Sequence, residues 1–216
     1  MCRMDTLKEG DFVLKRISSF SPDYNNDFIK YFLYGALLGD GVVTERCFRN
    51  KRISLLGSKE DLVVADSLLK RIGYVSPLRV YPRKGHCEMQ FDPIGFLSIL
   101  KPSDAYSKDI DKSCFLNKSR SFATLLGLLV TDGSISNSSG NSRVEIVTVS
   151  LALKRSLLEL LDYLGIPYSV KIGMGRYKTD GKVVETKWNY RIHLRSQFYE
   201  RYWKQIKDSF EYLGVS

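Results

Sequence analysis

The sequence predicts an α+β chain built from two pseudo-symmetric halves of order αββαββα, on three observations. An apolar, helix-like stretch ending in Asp-Gly occurs twice, as "LYGALLGDGV" over 33–42 and "LLGLLVTDGS" over 125–134. Laying Asp40 on Asp132 sets an offset of 92 residues that also pairs Leu33 with Leu125, Gly35 with Gly127 and Gly41 with Gly133. The register then holds well past the motif, as a duplication requires: Ser58 meets Ser150, Leu68 and Leu69 meet Leu160 and Leu161, Gly73 meets Gly165, and Leu78 and Val80 meet Val170 and Ile172.

Each element has its own justification. Residues 1–24 precede the first repeat as an extension, either an arm that reaches a ligand or packing for the first half. The first half, 25–100, opens with the apolar helix, followed by the strand-like runs "VVTERCFR" and "KRISLLG". "SKEDLVVADSLLKRIG" starts with Ser as N-cap, keeps helical apolar spacing and stops at Gly. A hairpin in "PLRVYPRKGHCEMQF" and a closing helix in "IGFLSILK" complete that half. The polar, Ser-rich segment 101–121 reads as the connection between halves. The second half, 122–216, repeats the order with the strand run "RVEIVTV", the helix "SLALKRSLLELLDYLG", a longer hairpin whose "TDGK" is a turn signal, and the helix "QFYERYWKQIKDSFEYL". In the last strand Trp188, Tyr190, Ile192 and Leu194 alternate with Lys187, Asn189, Arg191, His193 and Arg195, which predicts one core face and one basic face. The runs "ISLLG" and "EIVTV" are apolar on both faces, so their register stays open.

Charge narrows the function classes. Of 33 Lys and Arg against 24 Asp and Glu, net +9, residues 1–108 hold 17 against 13 and the remainder 16 against 11. An excess shared by both halves suits a polyanion touching both, nucleic acid before membrane. The charged start "MCRMDTLKEGDFVLKR" predicts no secretory signal, and no apolar run is long enough to span a bilayer. Cys2, Cys47, Cys87 and Cys114 show no C-x-x-C spacing, which predicts reduced intracellular thiols rather than a zinc site.

The acid at the tip of each apolar helix is the chemical signal. Gly35 and Gly39, and Gly127 and Thr131, put small residues one turn apart, the spacing that lets two helix backbones approach. Helices crossing there bring Asp40 and Asp132 together at their carboxyl ends. Converging carboxylates repel, so they raise a pKa or recruit a divalent cation. With phosphates drawn in by basic strands, magnesium fits, and the chemistry is phosphodiester hydrolysis.

The stretches "LYGALLGDG" and "LLGLLVTDG" resemble the signature helices of the LAGLIDADG homing endonucleases, specifically single-chain members with both copies, from about Phe28 onward. Leu38 and Val130 replace an earlier Asp of the family pattern, and Gly39 and Thr131 replace its Ala. The resemblance implies two four-stranded antiparallel sheets forming a DNA-binding saddle, a monomer with internal pseudo-twofold symmetry, and cleavage of both strands of a long site. It implies Mg²⁺ at Asp40, Asp132, Gly39 and Thr131, with Mn²⁺ substituting and Ca²⁺ binding without efficient cleavage. Lys59 and Lys118 are the candidate assisting lysines. The candidate DNA contacts are Arg46, Arg52, Arg79, Tyr81, Arg83, His86, Glu88 and Gln90 in the first half. Those in the second are Lys171, Arg176, Lys178, Lys187, Asn189, Arg191, His193 and Arg195. Double-stranded DNA is the expected partner, with the chain's own intron RNA as a second. The alternatives are an RNA-binding intron maturase and a nuclease-inactive DNA-binding protein on the same fold. Organelle, archaeal and bacterial cells are equally compatible hosts.

Overall fold

A computed structural model of the chain describes residues 20–42, 53–74, 79–83, 86–91, 100, 104–138, 141–179, 182–194 and 197–215, with backbone alone for parts of the strands. The first half contains α1 (Asn26–Asp40), β1 (Gly41–Val42), β2 (Ile53–Gly57), α2 (Lys59–Arg71), β3 (Arg79–Arg83) and β4 (His86–Phe91). The second contains α3 (Lys118–Thr131), β5 (Gly133–Ser138), β6 (Asn141–Thr148), α4 (Leu151–Leu164), β7 (Tyr168–Thr179), β8 (Lys182–Leu194) and α5 (Gln197–Leu213). The sheet orders are β1-β2-β4-β3 and β5-β6-β8-β7, all pairs antiparallel. The same order in both halves is the duplication in three dimensions.

Helix ends obey local chemistry in the same register. Asn25 caps α1 by accepting from the amides of Asp27 and Phe28, and Asn117, 92 residues later, caps α3 by accepting from the Arg120 amide. That cap starts α3 at Lys118, inside the stretch 101–121 read from sequence as a connection. Ser58 and Ser150 cap α2 and α4. Gly165 ends α4 at φ 73°, the left-handed conformation that favours Gly.

Some expectations need correction. Strand β5, "GSISNS", escapes a reading based on β-propensity because Gly, Ser and Asn disfavour strands; β6 supplies the pairing that forms it. Trp188 is not core but 63% exposed, while Asn189 on the opposite face is 7% exposed. The core face of β7 and β8 is covered only near its base, where Tyr168 and Val170 pair with Leu194 and Ile192; farther out Ile172 and Met174 are exposed as well. Residues 20–24 pack mainly on the second half rather than the first. The Phe20 ring lies 5.3 Å from that of Phe122, and the Tyr24 hydroxyl lies 3.2 Å from that of Ser209 on α5. Helix α5 reaches back in turn, its Tyr212 carbonyl accepting from Arg71 of α2 at 2.7 Å. Of the first strand run "VVTERCFR" only Val42 is described, and "IGFLSILK" lies outside the described residues apart from the buried Leu100. Among the described residues no helix is long and apolar enough to cross a membrane.

Candidate cation and nucleic-acid site

Helices α1 and α3 pack against each other along nearly their whole length, running in the same direction. At their amino ends Arg120 Nε donates to Asp27 Oδ2 at 2.5 Å, and the Ser119 hydroxyl accepts from the Asp23 amide at 2.9 Å. At mid-helix the seam is backbone against backbone: a Cβ on Gly35 would overlap the Thr124 carbonyl, and one on Gly127 would overlap the Phe32 carbonyl and sit 3.0 Å from the Gly35 carbonyl carbon. At the carboxyl ends a Cβ on Gly39 would overlap Thr131 and come within 3.3 Å of Asp132 Cγ. Asp40, the next residue, is thus brought to the same crossing as Asp132. The small-residue positions Gly35, Gly39, Gly127 and Thr131 all lie in this seam.

The paired acids sit in an unfavourable field. Burial raises both carboxyls above their ordinary pKa; the charge of Asp61 adds to the rise at Asp40, and that of Asp40 adds to the rise at Asp132. The Lys108 ammonium counters the rise at both. Its Nζ also donates to the Gly39 carbonyl. The sequence reading assigned Lys108 only to a connection, and nothing in its neighbourhood, "AYSKDI", marks it as a site residue. Its backbone is placed by Ser150, which caps α4 and donates through Oγ to the Lys108 carbonyl at 2.7 Å.

The donor set suits a hard cation. Two carboxylates and a helix-end carbonyl are all oxygen, and among the described residues no group of three or more His, Cys, Asp and Glu side chains gathers that could hold a metal. A cation here would complete its shell with water and substrate oxygens, as Mg²⁺ does. The Thr131 hydroxyl donates back to the Gly127 carbonyl at 3.1 Å.

The two candidate lysines part company with each other. Lys118 begins α3, at the opposite end from Asp132 and about 20 Å away along the axis; its Nζ lies 6.0 Å from the Phe20 ring centroid. The expectation that it assists at the centre is therefore wrong: preceding the motif helix in sequence means lying a full helix length from its acid. Lys59 is exposed at the start of α2, next to the residues Glu60 and Asp61 that line a cavity with Asp40.

The other candidates divide by strand face. In the second sheet the residues opposite the core face form rows: Ser134, Glu145, His193 and Ser169, then Val147, Arg191 and Lys171, then Asn189 and Gly173. Lys171 and Arg191 are exposed, as a polyanion contact must be. Glu145, absent from the sequence-based set, organises the row. Its carboxylate lies 3.2 Å from His193 Nδ1 and 3.7 Å from Arg191 Nη1, whose Nε donates to Asn189 Oδ1 at 3.4 Å. Among the described residues His193 Nε2 is buried without a hydrogen-bond partner. Between Met174↔Trp188 and Arg176↔Glu185, β7 advances two residues and β8 three, so the extra residue is on β8. Beyond that irregularity Arg176 pairs with Glu185 and Lys178 with Val183, and Lys187 falls within it. In the first sheet Arg79 pairs with Gln90 and Gln90 with Ser54, Tyr81 pairs with Glu88, and Arg83 with His86. Tyr81 and His86 are exposed, whereas Glu88 accepts from Ser54 and Gln90, both at 2.8 Å. Arg46, Arg52 and Arg195 lie outside the described residues.

Comparison with known proteins bears on the fold. Residues 119–207 match the family profile of the LAGLIDADG-like domain. No curated protein matches the chain in sequence. Among solved structures, I-DmoI in complex with DNA and Mn is 16% identical, with 84% of this chain and 97% of that chain covered at a TM-score of 0.56. I-WcaI bound to its DNA recognition sequence is 16% identical, covering 88% and 84% at 0.51. Full-length DUF199/WhiA from Thermatoga maritima is 16% identical, covering 90% of this chain but 58% of that one, at 0.53. The profile of the LAGLIDADG-like domain thus matches residues 119–207, less than half of the chain, and the chain as a whole has the two-sheet fold of the homing endonucleases I-DmoI and I-WcaI.

Proposed function

We propose that this chain is a site-specific DNA endonuclease that cuts both strands of a long recognition site by cation-dependent phosphodiester hydrolysis. The observation that carries the reading is the meeting of Asp40 and Asp132 where α1 and α3 end, between two four-stranded sheets. Mg²⁺ held by Asp40, Asp132 and the carbonyls of Gly39 and Thr131 would activate water and stabilise the leaving oxygen, with Mn²⁺ able to replace it. The chain's own part is positional. The glycine-lined seam fixes the two carboxylates, and Lys171, Arg191 and their neighbours hold the duplex by phosphate and base-edge contacts. Structures of I-DmoI in complex with DNA and with Mn or Ca support such a cation requirement.

The test is selection of cut sites from a randomised duplex pool in Mg²⁺ and, separately, in Ca²⁺. Cleavage is expected in Mg²⁺, and retention of the same sites without efficient cutting in Ca²⁺. Asp40→Asn and Asp132→Asn should each abolish cutting while DNA affinity stays within about tenfold, since these groups serve cations rather than groove contacts. Undiminished cutting by either variant removes the reading.

A second reading, a DNA-binding protein that does not cut, is favoured by the Lys108 contact with the Gly39 carbonyl and by the likeness to WhiA. Selective duplex retention with no cutting in Mg²⁺ or Mn²⁺ would establish it. Preferential retention of structured RNA in a parallel selection would instead point to a maturase.

A further inference from the structure

We infer that Lys108 is a tethered internal cation that occupies the place of a divalent ion at the acidic pair, and that an arriving ion must displace its ammonium. This rests on the cation reading above but concerns the chain before any DNA is bound. Three observations carry it. The Lys108 ammonium donates to the Gly39 carbonyl, one of the oxygens a cation at this site would use. It is also the cation whose charge acts on Asp40 and Asp132 together. A divalent ion bound to the same carbonyl oxygen would stand within a few ångströms of the ammonium, so the two positive charges repel and binding of one opposes the other.

The third observation is that the backbone beneath Lys108 is anchored to both halves. Its carbonyl accepts from Ser150 Oγ at 2.7 Å. The next carbonyl, of Asp109, accepts from the Tyr34 hydroxyl at 3.3 Å, and that hydroxyl accepts from the Asp111 amide at 2.9 Å. The Ile110 amide donates to Ser156 Oγ at 3.2 Å, and the Ile110 side chain is buried. Tyr34 belongs to α1, and Ser150 and Ser156 to the start of α4. The tether is therefore held in place while the four-carbon stem of the lysine stays free to swing. Once displaced, the ammonium remains beside the centre, where a backbone phosphate of bound DNA is its natural next partner.

The inference is tested without DNA, by calorimetric titration of Mn²⁺ into the whole chain. Lys108→Met keeps the stem and removes the charge, and should bind Mn²⁺ about tenfold more tightly than wild type. Lys108→Gln, which can still donate to the Gly39 carbonyl, should fall between them. Lys112→Met, an exposed lysine of the same connection, should match wild type. Mg²⁺ should also raise Tm more in Lys108→Met than in wild type, because the unneutralised acids then gain more from the ion. If both Lys108 variants bind Mn²⁺ no more tightly than wild type while Asp132→Asn abolishes binding, the Lys108 inference is overturned and the cation site stands. If Asp132→Asn leaves Mn²⁺ binding intact, the ion lies elsewhere and both are overturned.

Discussion

The two halves share an element order, a sheet order and capping positions, yet they do different work at the midline. Ser58 of the first half closes a complete capping box: its hydroxyl accepts from the Asp61 amide and its own amide donates to Asp61 Oδ2, both at 3.1 Å, and the hydroxyl also donates to that oxygen at 2.6 Å. The residue matching Asp61 in the second half is Leu153, so Ser150 has no such carboxylate to bond and donates to the Lys108 carbonyl instead. One substitution between the repeats thus has two results. The first half brings an extra negative charge near Asp40, and the second half anchors the positive charge that faces both acids. A symmetric fold carries an asymmetric centre.

The largest expected effect breaks the contact both halves depend on. Gly127→Leu puts a side chain into the Phe32 carbonyl and the Gly35 backbone, so no rotamer relieves the overlap. It should cost more than about 3 kcal/mol or prevent folding, read by denaturant unfolding. Gly39→Ala meets the Thr131 side chain, which can give way, and should cost roughly 1–2 kcal/mol. Equal losses at the two positions would show that the seam is not tightest at its middle.

The caps sharpen the comparison. Ser58→Ala and Ser150→Ala should each lose about 1 kcal/mol of stability. Of the two, Ser150→Ala alone should also change the affinity for Mn²⁺, since it alone releases the Lys108 backbone. Identical Mn²⁺ titrations for the two variants would mean that the serine does not hold the tether.

On the sheets, Arg191→Ala should relax preference at one base pair by about 1–3 kcal/mol or weaken binding generally, and a site profile unchanged from wild type would show that this face does not read DNA. Glu145→Gln removes the carboxylate that holds Arg191 and His193 in the free protein, and should strengthen binding while steepening its salt dependence. Weaker binding would assign Glu145 a direct contact.

A smaller effect follows from the raised carboxyls. Because the folded pKa of Asp132 lies above its unfolded value, the folded chain takes up a proton more readily, and stability from this group rises as pH falls through that raised value. At neutral pH the charged form is a cost. Asp132→Asn should therefore melt slightly higher than wild type at pH 7 without divalent ions, with the gap narrowing as pH drops toward the ordinary carboxylate range. A gap that widens on acidification contradicts the sign.

Much of this was written in local pattern. The repeat offset placed Asp40 and Asp132 in equivalent positions, the Ser caps and Gly stops bounded α2 and α4, and the small residues one turn apart named the seam before any coordinates. Strand β5 was not legible, because its Ser and Asn residues have no strand preference and depend on β6. Trp188 was misplaced because alternation reports which residues share a face, not how far helices cover it. The amino-acid sequence by itself determined the helices, the duplication and the identity of the paired acids, since these follow from interactions within a few residues or from repetition along the chain. Only the tertiary structure decided which lysine faces the acids, that Glu145 gathers Arg191 and His193, and that Phe20 and Tyr24 belong with α5. Each is a contact between residues far apart in the chain, and the free energy that selects it comes from burial and charge pairing that exist only once the halves have met.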